Sequence, residues 1–371
     1  MAVRAAEVIA PPESEIARLD LDPFYQKYVS ADGFPIVSSA KVSDFALKEA
    51  AFVIGIMLEG KAEVRDALIQ EKVRLAIMAP DELTTQVPEH SHLSPPAYWD
   101  KRARGLGSSK EHPAVSCGEE NLLRYQGDPY HGESILVHEF AHSIHLQGMN
   151  VVDPAFQGKL EQAFNRAALK GLWKGKYAGT NPSEYWAEGV QSWFDTNREG
   201  GYEHNHVDTR EELKAHDPGL AALVESVFGD KEWRYLPPAK RKEPGHLSAY
   251  DPGRGKVFAW PPAVVKAYED HEAGKHLAKM QIMKPETLAG DAVSPGGGKK
   301  VMIRFRNKTS QTLSFSWVDF GGKLKQYGLT DPGRDFYQHT FEDHLWIVAG
   351  ENGDRVGWIS APREGAMVTI K

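Results

Sequence analysis

The spacing of hydrophobic and polar positions along the chain changes near residue 300. Between Val42 and about Leu68 the apolar residues recur at helical spacing, and the first run, DFALKEAAFVIGIMLEG, ends at Gly60, which suits a helix C-cap. The run KVRLAIMA at 72–79 is typical of a strand. Further helical patterns follow at 133–147, with a stop at Gly148, at about 154–173, and from Pro182 onward.

Beyond residue 300 the pattern becomes one of short alternating runs, such as KVMIRFRN, TLSFSWVDF and HLWIVA, separated by Gly, Asn and Asp. Such runs predict a small antiparallel sandwich or barrel over 301–371. The preceding stretch, 284–300, is rich in Pro, Gly and Ser without periodicity, which indicates a linker. We therefore expect a first domain over 1–283, in which residues 1–20 form an extended arm.

Composition restricts the classes of function. The 371 residues are 41% hydrophobic and 26% charged, a balance typical of globular chains, and the formal net charge of −7 argues against a nucleic-acid partner. The longest apolar run, 46–58, carries charge and is too short to span a membrane. The start lacks a signal-peptide pattern, so we expect a cytoplasmic protein, or a secreted one whose signal has been removed. The single cysteine, Cys117, excludes an internal disulfide.

The helical stretch SILVHEFAHSIHLQG carries the strongest candidate chemistry. Residues four apart lie on one face of a helix, so His138 and His142 can direct their imidazoles at one metal ion. Glu139 lies at the edge of that face, where it can hold a metal-bound water. The alternative is a structural helix. Catalytic zinc usually has three protein ligands and a water, so a third ligand must come from elsewhere in the chain.

Glu184 and Glu188, one turn apart on the helix that begins near Pro182, are the candidates for the third ligand. If one binds zinc, the other is placed to accept a hydrogen bond from a ligand histidine. The alternatives are a capping box of Glu184 with Asn181 and a solvated helix face for Glu188.

Four other residues are of types that often have functional roles. His145 points away from the His138 and His142 face, and we interpret it as structural. His204 and His206 could line a cleft, although a surface loop is the expected position. Cys117 precedes the zinc helix, where an inhibitory thiolate is conceivable, but a buried structural cysteine is the preferred interpretation.

HEFAH followed by YAGTNPSEYWAE at 177–188 resembles the active-site region of the anthrax lethal factor type of zinc metallopeptidase, which includes the Pro-Pro endopeptidases. The resemblance covers roughly residues 115–200 and implies an α+β zincin-like domain that binds Zn²⁺. It implies that Glu184 is the third ligand, Glu188 a neighbour of the ligands, and Tyr177 a stabiliser of the oxyanion. Glu139 would then be the general base. A core aromatic is the alternative for Tyr177.

The segment 305–348, from FRNKTSQTLSFSWVDF to HLWIV, resembles the β-domain of the von Hippel–Lindau protein. That resemblance implies a β-sandwich with a pocket for 4-hydroxyproline. Carried over by position, the pocket residues are Trp317, Tyr327, Thr340, His344 and Trp346. Thr340 stands where the family usually has serine. The family's helical part, which docks a ubiquitin-ligase partner, has no counterpart before Lys371, so no such partner is expected.

Together these features predict a zinc endopeptidase whose tail docks a peptide or protein substrate, and the second resemblance implies a substrate rich in proline or hydroxyproline. The alternative is a catalytically weak or inactive scaffold that acts as a peptide-binding or hydroxyproline-binding protein. The complete set His138, Glu139, His142, Tyr177 and Glu184 favours the enzyme.

Overall fold

A computed structural model describes residues 7–243 and 245–371 of the chain. It is a mixed α/β structure with an all-β C-terminal region, and it divides into two compact units, Met1–Val265 and Lys266–Lys371. The division lies upstream of the boundary that the sequence predicted at 283. No helix of the described residues is long and apolar enough to cross a membrane.

The first unit contains a five-stranded sheet in the order β1-β2-β3-β5-β4. The outer pairs, β1 with β2 and β4 with β5, are antiparallel, and the inner pairs, β2 with β3 and β3 with β5, are parallel. All residues of β2, β3 and β5 are buried, as expected for parallel strands that are covered on both faces. The strands are β1 (Lys27–Ala31), β2 (Phe34–Ser38), β3 (Arg74–Met78), β4 (Gly105–Leu106) and β5 (Ala114–Gly118).

Eleven α-helices of the described residues lie before the division between the units, and a twelfth crosses it. They are α1 (Glu13–Leu19), α2 (Asp44–Met57), α3 (Ala62–Gln70), α4 (Pro96–Arg102), α5 (Glu119–Leu123), α6 (Ile135–Ser143), α7 (Asn150–Val152), α8 (Phe156–Leu169), α9 (Pro182–Trp193), α10 (Arg210–His216), α11 (Pro218–Phe228) and α12 (Pro262–Glu272).

Two predictions for this unit were wrong. The stretch 1–20 is not an extended arm throughout, because its described part contains α1, whose Leu19 is buried in a core with Tyr25 and Tyr28. Gly148 does not end the helix that carries the two histidines. The chain continues through a π-helical segment, Ile144–Met149, directly into α7.

Gly148 has a packing reason instead. A Cβ atom there would lie 2.8 Å from Val64 Cγ1 of α3, closer than real Cβ atoms approach. A glycine at this position therefore lets the π-helical segment lie against α3.

The second unit is a sandwich of two four-stranded sheets, with orders β10-β7-β13-β6 and β12-β11-β8-β9. Side chains of both sheets, such as Phe305 and Phe315, share one buried core. The strands are β6 (Ala278–Met280), β7 (Lys300–Asn307), β8 (Leu313–Val318), β9 (Leu324–Thr330), β10 (Asp335–Phe341), β11 (Leu345–Gly350), β12 (Arg355–Ser360) and β13 (Ala366–Ile370).

The sandwich is not wholly antiparallel, because β13 runs parallel to both β6 and β7. Strand β6 lies upstream of the predicted boundary at 283 but pairs within this unit. The predicted linker 284–300 also packs here, since the buried Ser294 donates to Val318 O and accepts from Leu345 N. The segment is thus part of the sandwich unit.

The packing of Gly148 generates a stability prediction. Gly148→Ala should lower the free energy of unfolding by about 1–3 kcal/mol, because the added methyl overpacks the contact with Val64. Gly158→Ala in α8 is the matched control, since its Cβ would meet nothing within 4 Å. That change should raise stability by roughly 0.5–1 kcal/mol. Urea unfolding measures both, and an equal sign for the two variants would contradict the packing described.

Candidate metal centre

Helix α6 presents the two imidazoles of the site. Its N-terminus is capped by Ser134, whose hydroxyl accepts from Val137 N. His138 and His142 lie one turn apart, both less than a tenth exposed, and their Nε2 atoms are 3.2 Å apart. The helical spacing alone therefore converges the two nitrogens on one point.

Helix α9 supplies the third group. Asn181 caps this helix and accepts from the backbone nitrogens of Ser183 and Glu184, with Pro182 in the first turn. The Glu184 carboxylate faces the histidines, so the capping-box alternative does not describe it. Its Oε2 lies 3.2 Å from His138 Nε2 and 3.3 Å from His142 Nε2.

The three converging atoms fit a tetrahedral metal. Zinc held at about 2.0–2.1 Å with tetrahedral angles places its ligand atoms about 3.3–3.4 Å apart. The observed separations of 3.2, 3.2 and 3.3 Å are close to that value. Among the described residues, His138, His142 and Glu184 form the group with the donors and the spacing to hold a metal ion.

Electrostatics favour a cation at this point. Burial opposes a charge on His138, but its hydrogen bond to Glu184 and the charges of Glu139 and Glu188 outweigh burial and raise the pKa of His138 to about 10. Burial also opposes ionisation of Glu184, but the hydrogen bonds from both histidines hold the pKa of that carboxyl well below its usual range. A divalent cation would take the position that a proton otherwise holds.

Glu139 lies next to the three ligand atoms without joining them. It is half-buried, and its carboxylate accepts no hydrogen bond from any residue that the structure describes. Burial raises its pKa, against the opposing effect of His138 and His142. A carboxylate that is unpaired and raised in pKa is suited to take a proton from a water molecule.

The edge strand β4 passes directly over this part of α6. A Cβ atom on Gly105 would clash with the Ile135 side chain and lie 2.8 Å from Ser116 O. A Cβ atom on Gly107 would lie 3.2 Å from His142 Cβ and 3.5 Å from Glu139 Oε2. The two glycines of the segment RGLGS, residues 104–108, thus allow the backbone to lie close to the site. This spacing of glycines is a sequence signal that was not used above.

A cavity of about 100 Å³ opens beside Glu139. Tyr177 lines it, with its ring 6.2 Å from the His138 ring and its backbone nitrogen donating to Glu203 O. Burial and the charges of Glu184 and Glu139 raise the pKa of the Tyr177 hydroxyl, so it stays a hydrogen-bond donor. The structure therefore brings Tyr177 to the same cavity as Glu139. Other lining residues include Tyr130, Glu133, Glu188 and His204.

The outer partners of the ligand histidines differ from the prediction. Glu188 Oε1 is 3.7 Å from His138 Nδ1, and this carboxylate instead accepts from Asn197 and His204, each at 3.1 Å. Gln191 Oε1 lies 2.7 Å from His138 Nδ1. Ser183 Oγ lies 3.0 Å from His142 Nδ1. The signal for Gln191 and Ser183 was their place on the ligand-bearing helix.

The remaining candidates fall outside the three ligands. His145 Nε2 bonds Gln157, and Cys117 is buried in β5, where burial raises the pKa of its thiol. We expected His204 and His206 on a surface loop. His206 is exposed, but His204 is buried against Glu188.

In the second unit the five predicted pocket residues are neighbours. Thr340 Oγ1 lies 3.2 Å from His344 Nδ1 and accepts from Trp346 Nε1 at 3.1 Å. The Trp317 ring stacks on His344, and the half-exposed Tyr327 packs edge-on against Trp346. Among the described residues, the buried Trp317 Nε1 and His344 Nε2 have no hydrogen-bond partner. The cluster therefore contains two unpaired polar atoms that a ligand could bind.

The chain as a whole matches no known family model and no curated protein.

Metal content is the direct test of this cluster. The wild-type chain should hold about one zinc per molecule, and His142→Ala should lose it, because two ligands rarely hold zinc in a folded site. His145→Ala is the matched control, since it removes a buried histidine three residues away that lies outside the cluster. Elemental analysis after dialysis measures both variants. Full zinc occupancy in His142→Ala would contradict the ligand set.

Proposed function

We propose that the chain is a zinc-dependent endopeptidase with a zincin-like first unit. The observation that carries the proposal is the triangle of His138, His142 and Glu184 atoms at tetrahedral spacing, next to the unpaired Glu139 carboxylate. The resemblance of residues 115–200 to the lethal factor type supports the same function. The presence of all five site residues supports an enzyme over the alternative, an inactive scaffold that only binds peptides.

The chain's own groups fit the roles that peptide hydrolysis needs. Zinc bound by the three ligands would supply a Lewis acid that activates water and polarises a carbonyl. Glu139 accepts the proton of the attacking water and then delivers it to the leaving amine. Tyr177 donates a hydrogen bond to the carbonyl oxygen as negative charge develops there, and one such donor in an oxyanion hole is worth about 3–4 kcal/mol.

The edge strand supports a peptide as substrate. In its sheet, β4 is the last strand, so its outer backbone groups face away from β5. An extended peptide can pair with such an edge by main-chain hydrogen bonds. Because Gly105 of this strand and Gly107 just after it lie close to α6, a paired peptide would pass beside Glu139.

A second function is supported by the cluster in the β-sandwich unit. The unpartnered His344 Nε2 and Trp317 Nε1 lie among aromatic rings beside the Thr340 hydroxyl. A hydroxylated proline ring matches both features, since its ring packs on aromatics and its hydroxyl pairs with buried polar atoms. We propose that this unit docks proline-rich or hydroxyproline-rich substrates for the peptidase.

The chemistry is tested by Glu139→Gln. This variant should keep its zinc and its fold yet lose about 100-fold or more of its hydrolytic rate, because an amide cannot accept the proton of water. Tyr177→Phe in the same assay should lower kcat with little change in KM, as expected for a contact made in the transition state. The assay is digestion of a peptide library with the zinc-loaded chain. Undiminished activity of Glu139→Gln would contradict the proposed mechanism.

The docking role is tested by calorimetry of the full-length Glu139→Gln chain with paired proline and hydroxyproline peptides. The hydroxyproline peptide should bind at least about tenfold more tightly, because plain proline leaves buried polar atoms unpaired. Thr340→Val should remove the difference, whereas Thr312→Val, which changes a partly exposed threonine bonded to Asp331, should keep it. Equal or absent binding of both peptides would leave the unit without a docking role.

A further inference from the structure

The side chain of Gln191 lies wholly buried between the two helices of the metal centre. Its Oε1 is 2.7 Å from His138 Nδ1, and its Nε2 is 3.4 Å from Glu133 Oε2 and 3.3 Å from Ser134 O. Glu133 is itself held by Arg198 at 2.9 Å. The four residues form a chain of contacts from Arg198 through Glu133 and Gln191 to His138.

The chemistry of these groups allows one orientation of the amide. The Ser134 carbonyl can only accept hydrogen bonds, and the Glu133 carboxylate, paired with Arg198, accepts as well. The Gln191 NH₂ group must therefore face them, which turns Oε1 towards His138. Since that oxygen also only accepts, the proton of a neutral His138 must sit on Nδ1. The lone pair of Nε2 is then directed at the point where Glu184 and His142 converge.

The second histidine has a similar partner on the same helix. Ser183 Oγ lies 3.0 Å from His142 Nδ1, and this hydroxyl can accept the Nδ1 hydrogen bond when Nε2 binds the metal. Ser183 and Gln191 stand on either side of Glu184 in the sequence of α9. One helix thus carries a ligand and the orienting partners of the two other ligands.

Glu188, the residue expected in this role, is engaged elsewhere. Its carboxylate accepts from Asn197 and from His204, and it stays 3.7 Å from His138 Nδ1. The neutral amide of Gln191, rather than the Glu188 carboxylate, contacts His138 Nδ1. A carboxylate partner would make the imidazole a stronger donor to the metal, whereas an amide orients the ring and adds no charge.

We propose that Gln191 is a positioning residue that fixes the tautomer and ring orientation of His138, so that Nε2 binds the metal. The inference rests on the proposed metal site and assigns Gln191 no contact with substrate. It predicts that a substitution of Gln191 weakens metal binding, although Gln191 is not itself a ligand.

The first experiment measures the zinc dissociation constant of the full-length chain by competition with a chelator. Gln191→Met keeps the length of the side chain but removes the acceptor, and it should weaken zinc binding about 10–100-fold. Gln147→Met is the matched control, because Gln147 is a buried glutamine near α6 whose contacts are Ser108 and Ser109. It should lower stability in urea and leave the zinc dissociation constant of the folded chain within about twofold of wild type.

The second experiment uses the wild-type chain, so that it does not depend on a variant that folds. Loading with ¹¹³Cd and ¹⁵N-labelled histidine should show coupling of the metal to Nε2 of His138 and a retained proton on Nδ1. Coupling to Nδ1 would overturn the inference, as would a Gln191→Met chain that binds zinc as tightly as Gln147→Met. A wild-type chain that binds neither ion would contradict the proposed function itself, which separates the two failures.

Discussion

The packing of α6 against α9 is the contact on which the candidate site depends. Trp186 of α9 is fully buried, and its Nε1 donates to Ala141 O of α6 at 2.8 Å. At the other end of the contact, Ser134 N at the cap of α6 donates at 2.9 Å to Thr196 O, in the turn that follows α9. Because both helices are stiff, fixing them at two points sets the distance from Glu184 to the histidines. A large buried aromatic with a paired N–H is well suited to hold that register.

The same contact explains how so many polar groups can be buried. Buried polar atoms cost free energy unless they are paired, and here Arg198 pairs with Glu133 while Asn197 and His204 pair with Glu188. The Glu139 carboxylate is left out of this pairing. In the sandwich unit, His344 Nε2 and Trp317 Nε1 are also without partners among the described residues. The Glu139 carboxylate and these two nitrogens are the groups that, in the function we propose, a reacting water and a docked ligand would pair.

Local patterns predicted the features that depend on neighbouring residues. The helical spacing of His138 and His142, the cap at Asn181 and the buried strand at 72–79 follow from positions a few residues apart. The hairpin turn at Asp32-Gly33 is equally local, since Asp-Gly is a typical sequence for a tight turn and both residues have the positive φ that it requires. The sequence patterns above did not include it.

Features that depend on contacts distant in sequence could not be predicted in this way. The partner of His138 is Gln191 and not Glu188, because the rotation of α9 against α6 decides which side chain reaches Nδ1. Gly148 looked like a helix stop because its contact with Val64 is invisible in the sequence. The composition of 284–300 indicated a linker, yet Ser294 anchors that segment to the sandwich.

The central claim is that two imidazoles and one carboxylate hold a single metal ion. X-ray absorption spectroscopy of the zinc-loaded full-length chain tests it most directly. We expect a first shell of nitrogen and oxygen atoms at about 2.0–2.1 Å, four or five in number, with the outer scattering of two imidazole rings. A sulfur atom near about 2.3 Å, or a shell of oxygens with no imidazole scattering, would contradict the account.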